Sequence, residues 1–325
     1  MISIHGDGVA ASACARLLAR GGIAASIESA NRPKIPALLI GDATQALFAG
    51  VFESARIFEG ARRITRRIVK WGGETRELAH SGVVIGEKDL EDRLRSPAGS
   101  GADGGDWTIL AAPAENGSKT LDFGSRMATA CRIRLKDEAQ RESCWIEAVD
   151  GGWLFLLPDW LLSIGAPPGE LLGRARVISG ELSGTESASG TFPAYPRIRD
   201  PLCGEGWLAC GSAAMAFDPI AGDGAGNALR EAILAAAVIR AAERGEPVDD
   251  LLEHYRARLT AGFARHLELC RPFYAAIEGE WWREETAAID RGIAWCGERL
   301  RGHEYRYQLR DFDLISLENS ATKRW

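Results

Sequence analysis

Short apolar runs alternate with longer amphipathic stretches along the chain, the pattern of strands and helices in succession. Residues 2–5 read as a strand and residues 12–20 as a helix stopped by Gly21-Gly22. Residues 23–27 then read as a second strand ending at Glu28. A polar, basic loop covers 31–34, and 38–58 carries an apolar pattern compatible with one helix. Residues 68–71 and 82–85 read as short strands, 89–94 as a helix and 107–112 as another strand. The glycine-rich, polar stretch 96–105 reads as a mobile loop. A β-rich middle follows, with strands at 128–135, 144–149, 153–157 and 174–182 and a hairpin turn at Asp150-Gly151-Gly152. Residues 207–211 return to strand, and 229–244 and 248–275 are helical. The tail from Ile277 is amphipathic and tryptophan-rich. Trp281, Trp282, Trp295 and Tyr305 there are expected to cover the protein's own core, with docking of a partner as the alternative.

Two glycine-rich turns carry the candidate chemistry. Gly6-Asp7-Gly8-Val9-Ala10-Ala11 lies between the first strand and the first helix, the context of a dinucleotide fingerprint. Gly6 permits the tight turn, Gly8 lets a pyrophosphate rest on backbone, and Ala11 stands small where the third glycine usually is. Glu28 is spaced to accept from ribose hydroxyls. The second turn runs from Gly211-Ser212 through Asp218-Pro219 to Gly222, Asp223, Gly224, Ala225 and Gly226, just ahead of an alanine-rich helix. Glycines before a helix let a ligand approach backbone N–H groups that favour negative charge. The two turns together point to a flavin dinucleotide.

At 325 residues the chain exceeds one average domain. Hydrophobic residues make up 46% and charged ones 26%, a globular balance, and a net charge of −6 argues against nonspecific binding to nucleic acid or anionic membrane. Arg62-Arg63-Ile64-Thr65-Arg66-Arg67 reads as a solvated helix face, with docking of an acidic partner as the alternative. Seven cysteines without metal-like clustering suggest free thiols in a reducing cytoplasm, and five scattered histidines suggest no metal site. The N-terminus reads as a fold element, and no apolar run approaches spanning length.

These residues resemble the superfamily of FAD-dependent aromatic hydroxylases and flavin-dependent tryptophan halogenases. The Gly6–Ala11 turn resembles its pyrophosphate loop, and Gly41-Asp42-Ala43-Thr44 resembles the GEAT-type halogenase segment. Trp71-Gly72 resembles a pair in flavoproteins that mature tryptophan-derived quinone cofactors. The stretch Gly152-Trp153-Leu154-Phe155-Leu156-Leu157-Pro158 resembles the halogenase WxWxIP motif, and Asp218-Pro219-Ile220-Ala221-Gly222-Asp223-Gly224 resembles the DPxxGxG flavin loop.

The resemblance implies an α/β fold: a Rossmann-like, hydroxylase-type FAD domain (1–68, 86–125 and 200–260), an inserted, mainly antiparallel β-sheet substrate domain (69–85 and 126–199) and a C-terminal helical segment (261–325). It implies FAD, reduced by NAD(P)H directly or by a separate flavin reductase, and a C4a-hydroperoxyflavin that hydroxylates an aromatic substrate, for instance a tryptophan ring in a peptide. Halogenation, another flavin oxidation, or a non-catalytic binding role are the alternatives. The implied cofactor contacts are Gly6, Gly8, Val9, Ala10, Ala11, Glu28, Arg32, Gly211, Ser212, Asp218, Pro219, Gly222, Asp223, Gly224 and Ala225.

Several positions stay open between function and packing. Trp153 and Phe155 either line a substrate pocket or belong to the core. Asp42 either lies near the isoalloxazine or caps a helix. Asp223 either faces the flavin or, the safer reading, caps the helix it precedes. Asp218 and Pro219 shape the flavin loop. Arg32 and Lys34 either touch the phosphates or stay solvated, His5 packs, and His80 is an acid–base candidate. The family's Gly-Asp is Gly211-Ser212 here, its arginine ahead of Leu90 has Glu87 nearby, and its Asp-Gly reads Ala111-Ala112-Pro113, with Glu115 or Asn116 as substitutes. No lysine stands where the halogenases keep their catalytic one, Arg62, Arg63 and Lys70 being the nearby cations, and this disfavours halogenation. Asp223 sits where a halide would bind, which disfavours halogenation.

Overall fold

A computed structural model describes residues 1–30, 32–95, 107–113 and 118–317. Its first strand, Ile2–His5, lies parallel to Ala25–Glu28 on one side and to Thr108–Leu110 on the other, with Ile4 opposite both Ile27 and Ile109. Trp207–Ala209 extends the sheet in parallel, and Cys203–Gly204 closes that edge antiparallel. Ile4, Ile109, Leu208 and Ala209 are fully buried, as strands covered on both faces require.

Among the described residues the α-helices are α1 (Val9–Arg20), α2 (Asp42–Phe52), α3 (Glu87–Leu94), α4 (Pro168–Arg174), α5 (Ile178–Glu181), α6 (Gly224–Glu243), α7 (Val248–Ala275) and α8 (Glu280–Leu300). Helix α6 packs against α1. At that contact the Cys14 thiol of α1 reaches the Ala232 carbonyl of α6 at 3.8 Å. None of the described helices is long and apolar enough to cross a membrane. All seven cysteines are free and buried.

A second sheet has eight strands in the order Leu182–Pro193, Met127–Leu135, Trp160–Gly165, Gly152–Leu157, Ser143–Val149, Arg62–Lys70, Thr75–Ile85 and Leu38–Gly41. All its pairings are antiparallel except Arg62–Lys70 with Ser143–Val149. The Asp150-Gly151-Gly152 turn joins two of these strands as the sequence suggests, with Gly151 at φ +79°. Along Gly152–Leu157 every residue is buried. Trp153, Phe155 and Leu157 join the main core, while Leu154 and Leu156 join a smaller one under α4 and α5.

Three sequence expectations change. Residues 38–58 are not one helix: Leu38–Gly41 pairs with Thr75–Ile85, and only Asp42–Phe52 is helical. A four-residue apolar run has no period of its own, so its pairing partner decides its form. Arg62 to Arg67 lie on a strand instead of a helix face, with a register shift between Ile64 and Arg66. Residues 174–182 run from the last residue of α4 through a bend into α5 instead of forming a strand, which begins only at Leu182. The buried carboxylate of Glu147 accepts the backbone N–H groups of Arg176, Val177 and Ile178 at 2.8–3.2 Å and holds that bend.

The C-terminal helices pack on the main core, with Tyr274 and Trp282 fully buried and Trp281 and Trp295 half-buried against it. Tyr305 stays exposed beside His254 and His303. Beyond α8 a hairpin, Tyr307–Arg310 with Asp313–Ser316, is tied to α6 by Arg240 and Asp313 at 2.9 Å. Residues 96–105, read as a loop, and the substitute positions Glu115 and Asn116 lie outside the described residues.

Candidate cofactor-binding site

The first glycine turn has the shape a dinucleotide needs. Gly6 takes φ +127°, and a Cβ there would stand 2.6 Å from the backbone N of Ala112, so no other residue fits. Gly8 takes φ +91° at the N-cap of α1 and offers no side-chain cap, which leaves the first-turn N–H groups of that helix free of one. Val9, Ala10 and Ala11 are buried in that turn. Gly211, at φ +58°, abuts it: a Cβ on Gly211 would come within 2.7 Å of the Ala10 methyl. The two glycine motifs of the sequence therefore touch.

Around Gly211 the groups are already engaged. Its N–H donates to Glu231 Oε2 at 2.7 Å, and burial pushes the Glu231 carboxyl well above the usual range despite that bond. The Ser212 hydroxyl donates to Ala111 O at 3.3 Å. Glu28 ends its strand exposed, with His5 Nδ1 2.7 Å from its carboxylate, so the His5 side chain contacts Glu28 instead of simply packing.

The second turn places the N-terminus of α6 beside that of α2. Gly222 takes φ +64°, and the space beside Gly222 and Gly224 is open. Asp223 holds the N-cap position of α6 but does not cap it. Its carboxylate accepts from Thr44 of α2 at 2.5 Å and from Arg230 at 2.6 Å. Gly226 makes this possible, because a Cβ there would fall 2.1 Å from Asp223 Oδ1. Asp42 opens α2, exposed, and makes no cap hydrogen bond; it accepts from Gln45 at 3.3 Å.

Beneath the Asp218-Pro219 turn lies a polar network with no motif in the sequence. Asp218 accepts from Arg126 Nε at 2.8 Å, from Tyr274 Oη at 2.8 Å and from the Ile220 N–H at 2.9 Å. Arg126 is wholly buried and also pairs with Glu285, which accepts from Ser125 N–H and Oγ at 3.0 and 2.9 Å. Burial alone would lower the guanidinium's pKa, but Asp218, Tyr274 and Glu285 outweigh it and raise it. Trp153 Nε1 donates to Tyr274 Oη at 3.2 Å, and His266 Nε2 accepts the Asp218 N–H at 2.8 Å. The loop-shaping role read for Asp218 has this anchor. Only the combination of buried charge on three separate elements reveals it, so no local pattern marked Arg126, Tyr274, Glu285 or His266.

The four catalytic candidates separate into two places. Trp153 and Phe155 sit in the core, at 0% and 9% exposure, and line neither of the two cavities described among these residues. Asp42 lines a cavity of about 500 Å³ together with Gln45, Arg56, Glu59, Arg63 and Ser81. His80 is not one of its lining residues, but its Nε2 stands 3.1 Å from where a Cβ on the lining residue Gly82 would be. Burial lowers the His80 pKa, the Arg67 charge adds to that, and the Asp42 charge opposes it.

Arg32 is neither solvated nor free. It pairs closely with Glu87, lies 3.9 Å from Asp7 and from Glu91, and one of its nitrogens stands 3.3 Å from where a Cβ on Gly8 would be. Lys34 reaches Glu91 at 2.8 Å and Asp7 at 2.9 Å. Burial would raise the Asp7 pKa, but hydrogen bonds from Lys34 and Ser29 and the charges of Lys34 and Arg32 lower it. The backbone cradle thus fits a dinucleotide: two positive-φ glycines, small neighbours and an uncapped helix end. Two cations, Arg32 and Lys34, stand near this turn, each paired with carboxylates.

The fold is similar to that of solved aromatic hydroxylases and flavin-dependent halogenases. Over 97% of this chain and 85% of the other, it is similar at 18% identity and a TM-score of 0.73 to peptidyl tryptophan dihydroxylase QhpG, essential for tryptophylquinone cofactor biogenesis. It is also similar to the flavin-dependent halogenase CmlS (16% identity, 100% and 76% covered, TM-score 0.72). A third likeness is to p-nitrophenol 4-monooxygenase PnpA from Pseudomonas putida DLL-E4 (14% identity, 93% and 98% covered, TM-score 0.62). No protein-family model and no curated protein matches the chain. At these identities the likeness carries the fold, as the sequence resemblance implied.

Proposed function

We propose that this protein is an FAD-dependent oxidoreductase that hydroxylates an aromatic ring, with a tryptophan in a peptide as the leading substrate class. The observation that carries the reading is the contact of Gly211 with Ala10. It sets the uncapped start of α1 directly against the chain segment that leads to α6. Backbone N–H groups of Val9 and Ala10 receive the pyrophosphate, with Arg32 and Lys34 as counter-charges. Glu28 accepts from ribose hydroxyls, and Ser212 bonds the ribityl chain without charge assistance. The N–H groups opening α6 at Gly224 and Ala225 would hold the pyrimidine end of the flavin, where a helix N-terminus favours negative charge. Bound FAD supplies the activation of oxygen for transfer. Asp42 and His80 bound the substrate end, where a neutral His80 accepts a proton from the ring that is attacked.

Hydroxylation is favoured over halogenation because the Asp223 carboxylate already takes up the Arg230 guanidinium and the Thr44 hydroxyl at this loop, groups that a halide would otherwise use. Electrons come from NAD(P)H directly or from a separate flavin reductase. Supplied with FAD, reductant and oxygen, the protein is expected to add one oxygen atom to a tryptophan-containing peptide, read by mass spectrometry, with no dependence on chloride or bromide. Product formed only with halide present would replace this reading with halogenation.

A further inference from the structure

The pyrophosphate position carries three carboxylates against two cations. Glu87 and Glu91 stand one turn apart on α3 and so share a face. Glu87 grips Arg32 through both of its oxygens and accepts the Ile35 N–H at 2.7 Å. Glu91 holds Lys34 at 2.8 Å and lies 3.2 Å from where a Cβ on Gly8 would be. Asp7 completes the group, bound by Ser29 at 2.9 Å and Lys34 at 2.9 Å. Side chains of Arg32 and Glu91 therefore occupy the space over Gly8 into which a pyrophosphate would settle.

We propose that Glu87 and Glu91 form a carboxylate latch over this cradle, and that the cofactor's phosphates must displace them from Arg32 and Lys34 in order to bind. The inference rests on the flavin reading and adds to it how the cofactor is held. Binding is an exchange of ion pairs: two carboxylates leave the cations and two phosphate groups replace them. A dianion arriving beside fixed carboxylates is repelled until they turn away, so the protein holds its dinucleotide weakly and reversibly. Adenosine diphosphate, which carries the pyrophosphate without the flavin, meets the same latch.

The test is titration of the full chain and its Glu87→Gln/Glu91→Gln variant with FAD and, separately, with ADP. Glutamine keeps an acceptor for the Ile35 N–H, and a melting curve verifies that the variant is folded. Both ligands are expected to bind the variant at least about tenfold more tightly. The single variant Glu91→Gln, at the rim, is expected to move both affinities the same way by a smaller factor. Unchanged affinity for FAD and ADP overturns the latch and leaves the flavin reading standing. Tighter ADP with no FAD binding supports the latch and overturns the flavin reading. No binding of either ligand to either protein overturns both.

Discussion

Arg126→Leu is expected to cost about 3–5 kcal/mol of folding stability, because it strands two buried carboxylates. Asp218 and Glu285 lie at 0% and 3% side-chain exposure, and Arg126 is the cation between them. The guanidinium also lies 4.5 Å from the centre of the Tyr274 ring, so leucine replaces the volume but neither the charge nor the donors. The loop that starts at Asp218 is anchored at its first residue by this pair, and Asp223 with Arg230 holds its far end, so its first turn should loosen before the sheets do. Denaturant titration of the two proteins measures the difference. A change below about 1 kcal/mol, the value of an exposed pair, would contradict the buried role. Arg126→Lys, which keeps the charge and loses the fork, is expected to fall between.

Acid is expected to weaken the same loop through His266. Burial pushes this imidazole down to about 4, the Arg126 charge adds to that, and the Asp218 charge opposes both without reversing them. Its Nε2 accepts the Asp218 N–H and therefore carries no proton in the native state. The unfolded chain takes up a proton near 6.5. Between 6.5 and 4 the unfolded state therefore binds more protons, and stability falls as pH is lowered through that window. The group's contribution is full above 6.5 and is lost by roughly 3 kcal/mol on reaching 4. Carboxylates titrate nearby, so the informative quantity is the difference between the native protein and His266→Gln, which does not titrate. That variant is expected to be less stable at pH 7, with the gap closing toward pH 4.5. Parallel pH profiles for the two proteins would sink the assignment.

Much of the fold was legible because its signals are local. Gly6, Gly8 and Gly211 declare themselves, since positive φ and the close approaches to Ala112 and Ala10 exclude side chains. Strands such as Gly152–Leu157, buried on both faces, leave near-continuous apolar runs. What failed was decided at a distance. Leu38–Gly41 is a strand because Thr75–Ile85 pairs with it, and the 174–182 bend follows Glu147, some thirty residues earlier in the chain. Asp223 looked like a helix cap, but Thr44, far away in sequence, and the missing side chain of Gly226 draw its carboxylate aside. Trp153 matched a motif yet lies in the core, its indole N–H spent on Tyr274. Conversely, Glu87 stood out as a departure from the family pattern, and in the structure it pairs with Arg32 beside Gly8.

The central claim is that the joined glycine turns hold FAD, and the direct measurement is an equilibrium titration of the purified protein with FAD, followed by its visible spectrum. Saturable binding that shifts and resolves the flavin bands, lost when Gly8→Val fills the cradle, is the predicted result. Spectra identical to free FAD at every protein concentration, with oxidised and reduced cofactor alike, would contradict it and leave a binding protein built on a flavoenzyme fold.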